Sequence, residues 1–252
     1  MKLFIPKSGD SYLRKSGESY FPFTTADSRF AVPCPSDRNA LRNPPRQHVP
    51  TVGGNAKKNR HMDSLQRILK DKGVQFDSGL SNDEIIKIES KFNIKFPPDL
   101  KQFLQLGLPI SDSFVNWRQG LISKDTEAKI VSRLDWPLEG MLFDLQSNDF
   151  WINSWGDKPE TYSEKERIAK EKYLTFPKLI PIYSHRYIPM EPMESGNPIF
   201  SVHQMDIIYY GYDLATYFAN EFHFELPDGF KIVNEPKNIR FWSNWIDEWT
   251  EN

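Results

Sequence analysis

The chain has 252 residues and a formal net charge of −2, with 38% hydrophobic, 14% aromatic and 26% charged residues. No stretch approaches the ~18 uninterrupted apolar residues of a membrane-spanning helix, and the opening MKLFIPKSGDSY lacks the long apolar run of a secretory signal. The single cysteine, Cys34, excludes an intramolecular disulfide, multi-thiolate zinc sites and CxxC redox motifs, so a reducing, cytoplasmic compartment is expected.

Two unlike segments hide behind the small net charge. Residues 1–61 hold 11 Lys and Arg against 4 Asp and Glu, a net of +7, with 7 of the 19 prolines and none of the 7 tryptophans. Residues 62–252 hold 21 and 30, a net of −9. The middle of the first segment has neither helical nor strand periodicity, and its prolines remove backbone donors. Its apolar surface is too small to offset the entropy of ordering, so 1–61 is expected to be a disordered or extraneous extension. A basic arm for nucleic acid is the competing reading. His61-Met62 is the dipeptide an NdeI cloning site encodes, and Met62 directly precedes the first patterned helix. That favours a leader outside the domain, which is expected to occupy 62–252.

In chain order, Asp63 is placed to cap a helix carrying Leu65, Ile68 and Leu69, with Gly73 ending it. Ser81-Asn-Asp-Glu84 is a capping box, followed by Ile85, Ile88 and Phe92 at helical spacing and closed by Asn93. A third helix starts at Phe96-Pro97-Pro98-Asp99, carries Leu100, Phe103 and Leu104, and stops at Gly107. After Gly107 the period shortens. Strands are predicted at Phe114–Trp117, Gly140–Leu145, Leu179–Tyr183, Pro198–Val202 and Asp206–Tyr210. Helices are predicted over Ser163–Leu174, with its own Ser163…Glu166 box, over Tyr212–Phe222 and over Ile239–Trp249. Helices, then a strand meander, then helices imply an α+β fold with an antiparallel sheet flanked by helices.

Gly79-Leu-Ser-Asn-Asp-Glu-Ile-Ile-Lys-Ile-Glu89 followed by Phe96-Pro-Pro-Asp-Leu-Lys-Gln-Phe-Leu104 resembles the opening of the SMI1/KNR4 family of the SUKH superfamily. Glu89 matches the family's central glutamate, Phe96-Pro97 its dipeptide, and Trp117 the aromatic that follows. Leu179-Ile-Pro-Ile182 resembles its "hhPh" strand and Asp213–Phe218 its closing helix, so the resemblance spans about 79–222. Gly107-Leu-Pro-Ile replaces the usual Gly-Gly or Asn-Gly turn, and an insertion of roughly 146–175 interrupts the pattern. The resemblance implies an SMI1/KNR4-like α+β fold and a non-catalytic role. Bacterial members are often immunity proteins against toxins, and fungal members regulate cell-wall synthesis through protein contacts.

The richest polar cluster is Tyr183-Ser-His185-Arg186-Tyr187, with His203-Gln-Met-Asp206 and His223 further on. One enzymatic reading is a metal-dependent or triad hydrolase on His185, His203 and Asp206, with His223 as a further ligand. No HExxH, GxSxG, GxGxxG or P-loop spacing supports it, and adjacent Ser184 and His185 on a strand would face opposite ways. The binding reading takes the same residues as a contact patch of large rigid rings with polar tips: Trp117, His185, Arg186, Tyr187, Asp206 and Tyr209. The structural reading has His185 and Arg186 tying down a loop. No cofactor and no metal are expected. At −9 the domain disfavours nucleic acid and suits a protein partner, a basic toxin among the candidates.

Overall fold

The computed structural model describes residues 54–230 and 233–250, all within one unit of the chain. The expected disordered extension lies outside the described residues except for its last eight positions, which are helical. Helix α1 spans Gly54–Asp71, so Asp63 lies inside it and does not cap it, and the expected boundary at Met62 falls within it. Leu65 and Leu69, one turn apart, are fully buried. Buried Gln66 between them donates from Nε2 to the carbonyls of Phe103 (2.7 Å) and Gly107 (3.2 Å). The Phe103 carbonyl also accepts from Gly107 N, and the Gln66 amide ties α1 to the end of the helix that closes at Leu106.

Strand β1 (Phe76–Ser78) leads into α2 (Asn82–Phe92) and α3 (Pro98–Leu106). The capping box is formed as expected: Glu84 N donates to Ser81 Oγ (3.2 Å) and Ser81 N donates to Glu84 Oε2 (2.8 Å). Asn93 takes the left-handed conformation, φ 49°, that ends α2. Strand β2 (Gly107–Pro109) pairs antiparallel with β1.

Two expected strands do not form. The short helix α4 spans Trp117–Gly120, because the Asn116 side chain accepts from Gln119 N and caps it; of Phe114–Trp117 only Phe114 makes a bridge, to Tyr183. Gly140–Leu145 lies inside α5, Lys124–Ser147, capped by Ser123. A 3₁₀ turn at Asn153–Trp155 and α6 (Tyr162–Tyr173) fill the insertion; Thr161, rather than a box at Ser163, caps α6.

Strands β3 (Leu179–Tyr183), β4 (Arg186–Pro189), β5 (Ile199–His203) and β6 (Asp206–Gly211) form an antiparallel meander in chain order. Helix α7 (Leu214–Phe222), capped by Asp213, and α8 (Trp242–Thr250) follow. The fold is α+β, as expected. Helices cover both sheet faces, which explains why β3 and β4 read as continuous apolar runs rather than alternating ones. Ile180, Ile182, Ile188 and Ile199 join residues of α1–α5 and α7 in one core. Leu179, Tyr187, Phe200, Val202 and Ile207 join residues of α5, α6 and α8 in the other.

Candidate functional site

The strand register decides which polar residues meet. Arg186 pairs with Ser201, and His203 pairs with Asp206, so the turns Ser184-His185 and Gln204-Met205 close the same end of the sheet. Both are two-residue turns whose first residue has positive φ, 45° at Ser184 and 57° at Gln204. Val202 N donates to the His185 carbonyl at 3.0 Å and joins the two turns. Helix α5 crosses this end closely. A Cβ on Gly140 would lie 2.6 Å from the Gln204 Cα, so only glycine permits this approach.

Arg186 is the hub. It is 5% exposed and its Nε donates to Glu221 Oε2 of α7 at 2.9 Å. Nη1 donates to Ser201 Oγ at 2.7 Å and to His185 Nε2. The guanidinium lies 3.5 Å from the Tyr210 ring centroid, a cation–π geometry. A guanidinium only donates, so His185 accepts at Nε2 and carries its proton on Nδ1, which donates to Ser184 Oγ at 3.1 Å. Burial, then the charge of Arg186, then His203 and Arg133 hold the His185 imidazole down at about 4, so it is neutral near pH 7.

That wiring is the reverse of a nucleophile–base pair. A base must offer a lone pair to the serine, whereas here Nδ1–H points at Oγ and an arginine occupies the other nitrogen. The expectation that Ser184 and His185 face opposite ways is also corrected, because they form a turn and not a strand. His203 and Asp206 face each other across the β5–β6 hairpin and are both exposed. His223 is the left-handed cap of α7, its carbonyl accepting from Lys72 Nζ at 2.9 Å. Among the described residues no three His, Cys, Asp or Glu side chains gather as a metal site would require.

The remaining expected contact residues divide by burial. Trp117, 2% exposed, lies between the rings of Phe92 (5.8 Å) and Phe96 (5.2 Å) and belongs to the core. Tyr187 is 1% exposed, and burial pushes its hydroxyl pKa up. Neither offers area to a partner, because a ring in the core is already covered. Tyr209 is half-buried against Phe200, its hydroxyl donating to Ser243 Oγ at 2.6 Å. His185 and Asp206 keep accessible surface.

Arg133 and Glu221 complete the site and were not expected from the sequence. Glu221 is 35 residues from Arg186 and carries no local signal. Arg133 had one. Pro137 stands four residues later in α5 and has no N–H, so the Arg133 carbonyl loses its helical donor. The Tyr187 hydroxyl donates to it instead, at 2.8 Å. Glu89 is likewise structural: its carboxylate accepts from Phe96 N (3.0 Å) and Lys95 Nζ (2.9 Å), fixing the entry to α3.

These features define an α+β domain with a four-stranded meander between two helical layers and a hydrogen-bonded polar end. The chain belongs to the SMI1 / KNR4 family (SUKH-1), whose model matches residues 79–225, more than half its length. The match includes the whole meander and α7 and leaves α1 and α8 outside it. Comparison with curated proteins and with solved structures returned no match. No described helix is long and apolar enough to cross a membrane.

Proposed function

We propose that the chain is a non-catalytic protein-binding domain of the SMI1/KNR4 type, acting in the cytoplasm as an immunity protein that neutralises a toxin by direct binding. The observation that carries this reading is the commitment of the polar groups at the hairpin end of the sheet. Arg186 donates into the lone pair His185 would need as a base, and Glu221, Ser201 and Tyr210 are engaged in holding Arg186. Such a network rigidifies a surface and leaves no activated group on it. Family membership supports the same reading, since the resemblance implies protein contacts rather than turnover.

In this reading the domain is the stretch expected at 62–252, extended back to the start of α1, and 1–61 contributes nothing to recognition up to that helix. His185 and Asp206 supply contact surface, with His203 and Gln204 beside them. Arg186, Tyr187 and Trp117 act from beneath by fixing the backbone that presents them. The net charge of −9 over 62–252 favours encounter with a basic partner and disfavours nucleic acid.

The test is stoichiometric. The chain is titrated against the protein encoded beside its gene while the toxicity of that protein is followed. Inhibition complete at equimolar chain, with a stable complex on size exclusion, is the expected result. Full inhibition at a small fraction of one equivalent, with the toxin left chemically altered, would overturn the proposal. So would stoichiometric zinc or manganese in the purified protein that disappears in a His203→Ala variant.

A further inference from the structure

Arg133 differs from Arg186 beside it. Its Nη1 donates to the Ser113 carbonyl at 3.0 Å and its Nη2 to the Ser184 carbonyl at 2.6 Å. Arg118, Arg167, Arg186 and Arg240 each engage a carboxylate. Among the described residues no carboxylate forms an ion pair with Arg133. Two carbonyls use two of five N–H donors and neutralise no charge. Burial is the main influence on this guanidinium and pulls its pKa down. A half-buried cation held only by neutral carbonyls keeps donors and charge that an arriving anion can engage.

The surroundings reinforce the imbalance. Arg186, His185 and His203 crowd the same end of the sheet. The carboxylates nearby do not compensate: Glu221 is held by Arg186, while Asp206 faces His203 and Asp112 flanks Ser113, both exposed to solvent. Ser184 Oγ accepts from His185, which leaves its own O–H to donate outward. Half-buried Arg133 and half-buried Ser184 therefore form a rim of donors beside His185, around a charge with no ion-pair partner.

We propose that this rim is an anion-binding site centred on Arg133 that receives a carboxylate side chain of the protein partner. The inference rests on the binding function proposed above and specifies its chemistry. A carboxylate matches the guanidinium fork with two parallel hydrogen bonds. It is favoured over a nucleic-acid phosphate because a polyanion must approach through the field of a domain carrying −9, whereas a single acidic residue on a basic protein need not. The two charges act at different range: net charge governs encounter and is screened beyond about 10 Å, and Arg133 governs the seated contact.

The experiment uses the full chain, an oligoglutamate peptide, a matched oligoglutamine peptide and inorganic phosphate, read on the imidazole NMR signals of His185 and His203. Oligoglutamate is expected to move both signals, and oligoglutamine to move neither. Arg133→Gln is expected to weaken the oligoglutamate response about tenfold, the loss expected for one charge-assisted hydrogen bond. Asp206→Asn, at an exposed position where folding is not at stake, is expected to strengthen it. Silence of both signals towards oligoglutamate overturns the site, as does an Arg133→Gln variant that folds and responds unchanged. A response to phosphate equal to that to oligoglutamate overturns its assignment to a partner's carboxylate. A toxin complex that forms normally with Arg133→Gln removes this site and leaves the binding function standing.

Discussion

The two cores that share the four-stranded sheet are built differently. The one under α1–α4 and α7 is mostly aliphatic, and its helices are bounded by their own neighbours in sequence: Ser81 with Glu84, Asn93, and Asp213 with Thr216. The one under α5, α6 and α8 is sealed by rings and by hydrogen bonds between residues far apart in the chain. Phe176 stacks on Phe241 at 3.4 Å, Trp242 Nε1 donates to the Pro177 carbonyl (2.7 Å), and Trp245 Nε1 donates to the Met205 carbonyl (2.8 Å). Asp144 of α5 accepts from Met205 N at 2.9 Å. A core richer in aliphatic side chains and one sealed by rings thus meet on the same strands, with Ile188 facing the first and Tyr187 the second, while α5 serves both through Ile130 and Leu134 on one side and Met141 and Leu145 on the other.

Truncating the central indole of each core tests whether that sharing makes them one cooperative unit. Trp117→Ala and Trp242→Ala are each expected to cost about 3–5 kcal/mol, the usual range for a buried aromatic. Both residues are almost fully buried, at 2% and 0% exposure. Because strands are common to the two cores, each variant is expected to shift a single denaturant transition followed by both fluorescence and circular dichroism. Two separated transitions in Trp242→Ala, the first losing only part of the helical signal, would show the second core to be an annex rather than half of one structure.

Gly140→Ala probes the long-range core from the opposite direction. Alanine is ordinarily better than glycine inside a helix, by roughly 1 kcal/mol. Here the new Cβ would meet the Gln204 Cα at 2.6 Å, and backbone cannot swing aside as a side-chain tip can. The expected result is a net loss of about 1–3 kcal/mol by denaturant unfolding, typical of overpacking. A gain in stability would mean that α5 does not approach the β5–β6 turn this closely.

The same glycine explains how far the sequence was legible. Caps, left-handed closures and the Pro97-Pro98 start are local chemistry, so α2, α3 and α7 could be read, as could three strands of the meander. Pro137 and Gly140 are also local signals, but in α5 they answer tertiary demands: one frees a carbonyl for Tyr187 and the other admits the neighbouring turn. Gly140–Leu145, expected as a strand, is therefore helical. At the candidate site the sequence displayed the Ser184–Tyr187 and His203–Asp206 clusters, and the register of β4 on β5 brought them together. Their partners Arg133 and Glu221 come from helices, at distances in the chain that no motif spans.

The Pro137–Tyr187 relation can be isolated by a double-mutant cycle. Tyr187→Phe removes the donor to a part-buried carbonyl that Pro137 leaves without its usual helical donor, and is expected to cost about 1–3 kcal/mol. In a Pro137→Ala background the new N–H can bond the Arg133 carbonyl, so the same substitution is expected to cost clearly less. Equal costs in the two backgrounds, measured by urea unfolding, would break the link between the proline and the tyrosine.

The smallest effect belongs to the locally specified side. Ser81→Ala removes the acceptor for the Glu84 amide and is expected to cost about 1 kcal/mol. Glu84 adds a pH signature. Its carboxylate is gripped by Arg118, with Nε to Oε1 at 2.5 Å, and accepts from the Ser81 amide; these contacts lower its pKa to about 2. The folded state therefore binds the proton less readily than the unfolded chain, where an ordinary glutamate titrates near 4.5. The stabilisation from this carboxylate is full above that ordinary value and is lost as the pH falls through about 2. In Glu84→Gln the loss of stability between those two values should be shallower than in the parent, when unfolding is measured across the acid range in constant salt. An unchanged slope would assign the acid sensitivity to other carboxylates, and would reduce the Arg118 contact to the modest worth of a surface ion pair.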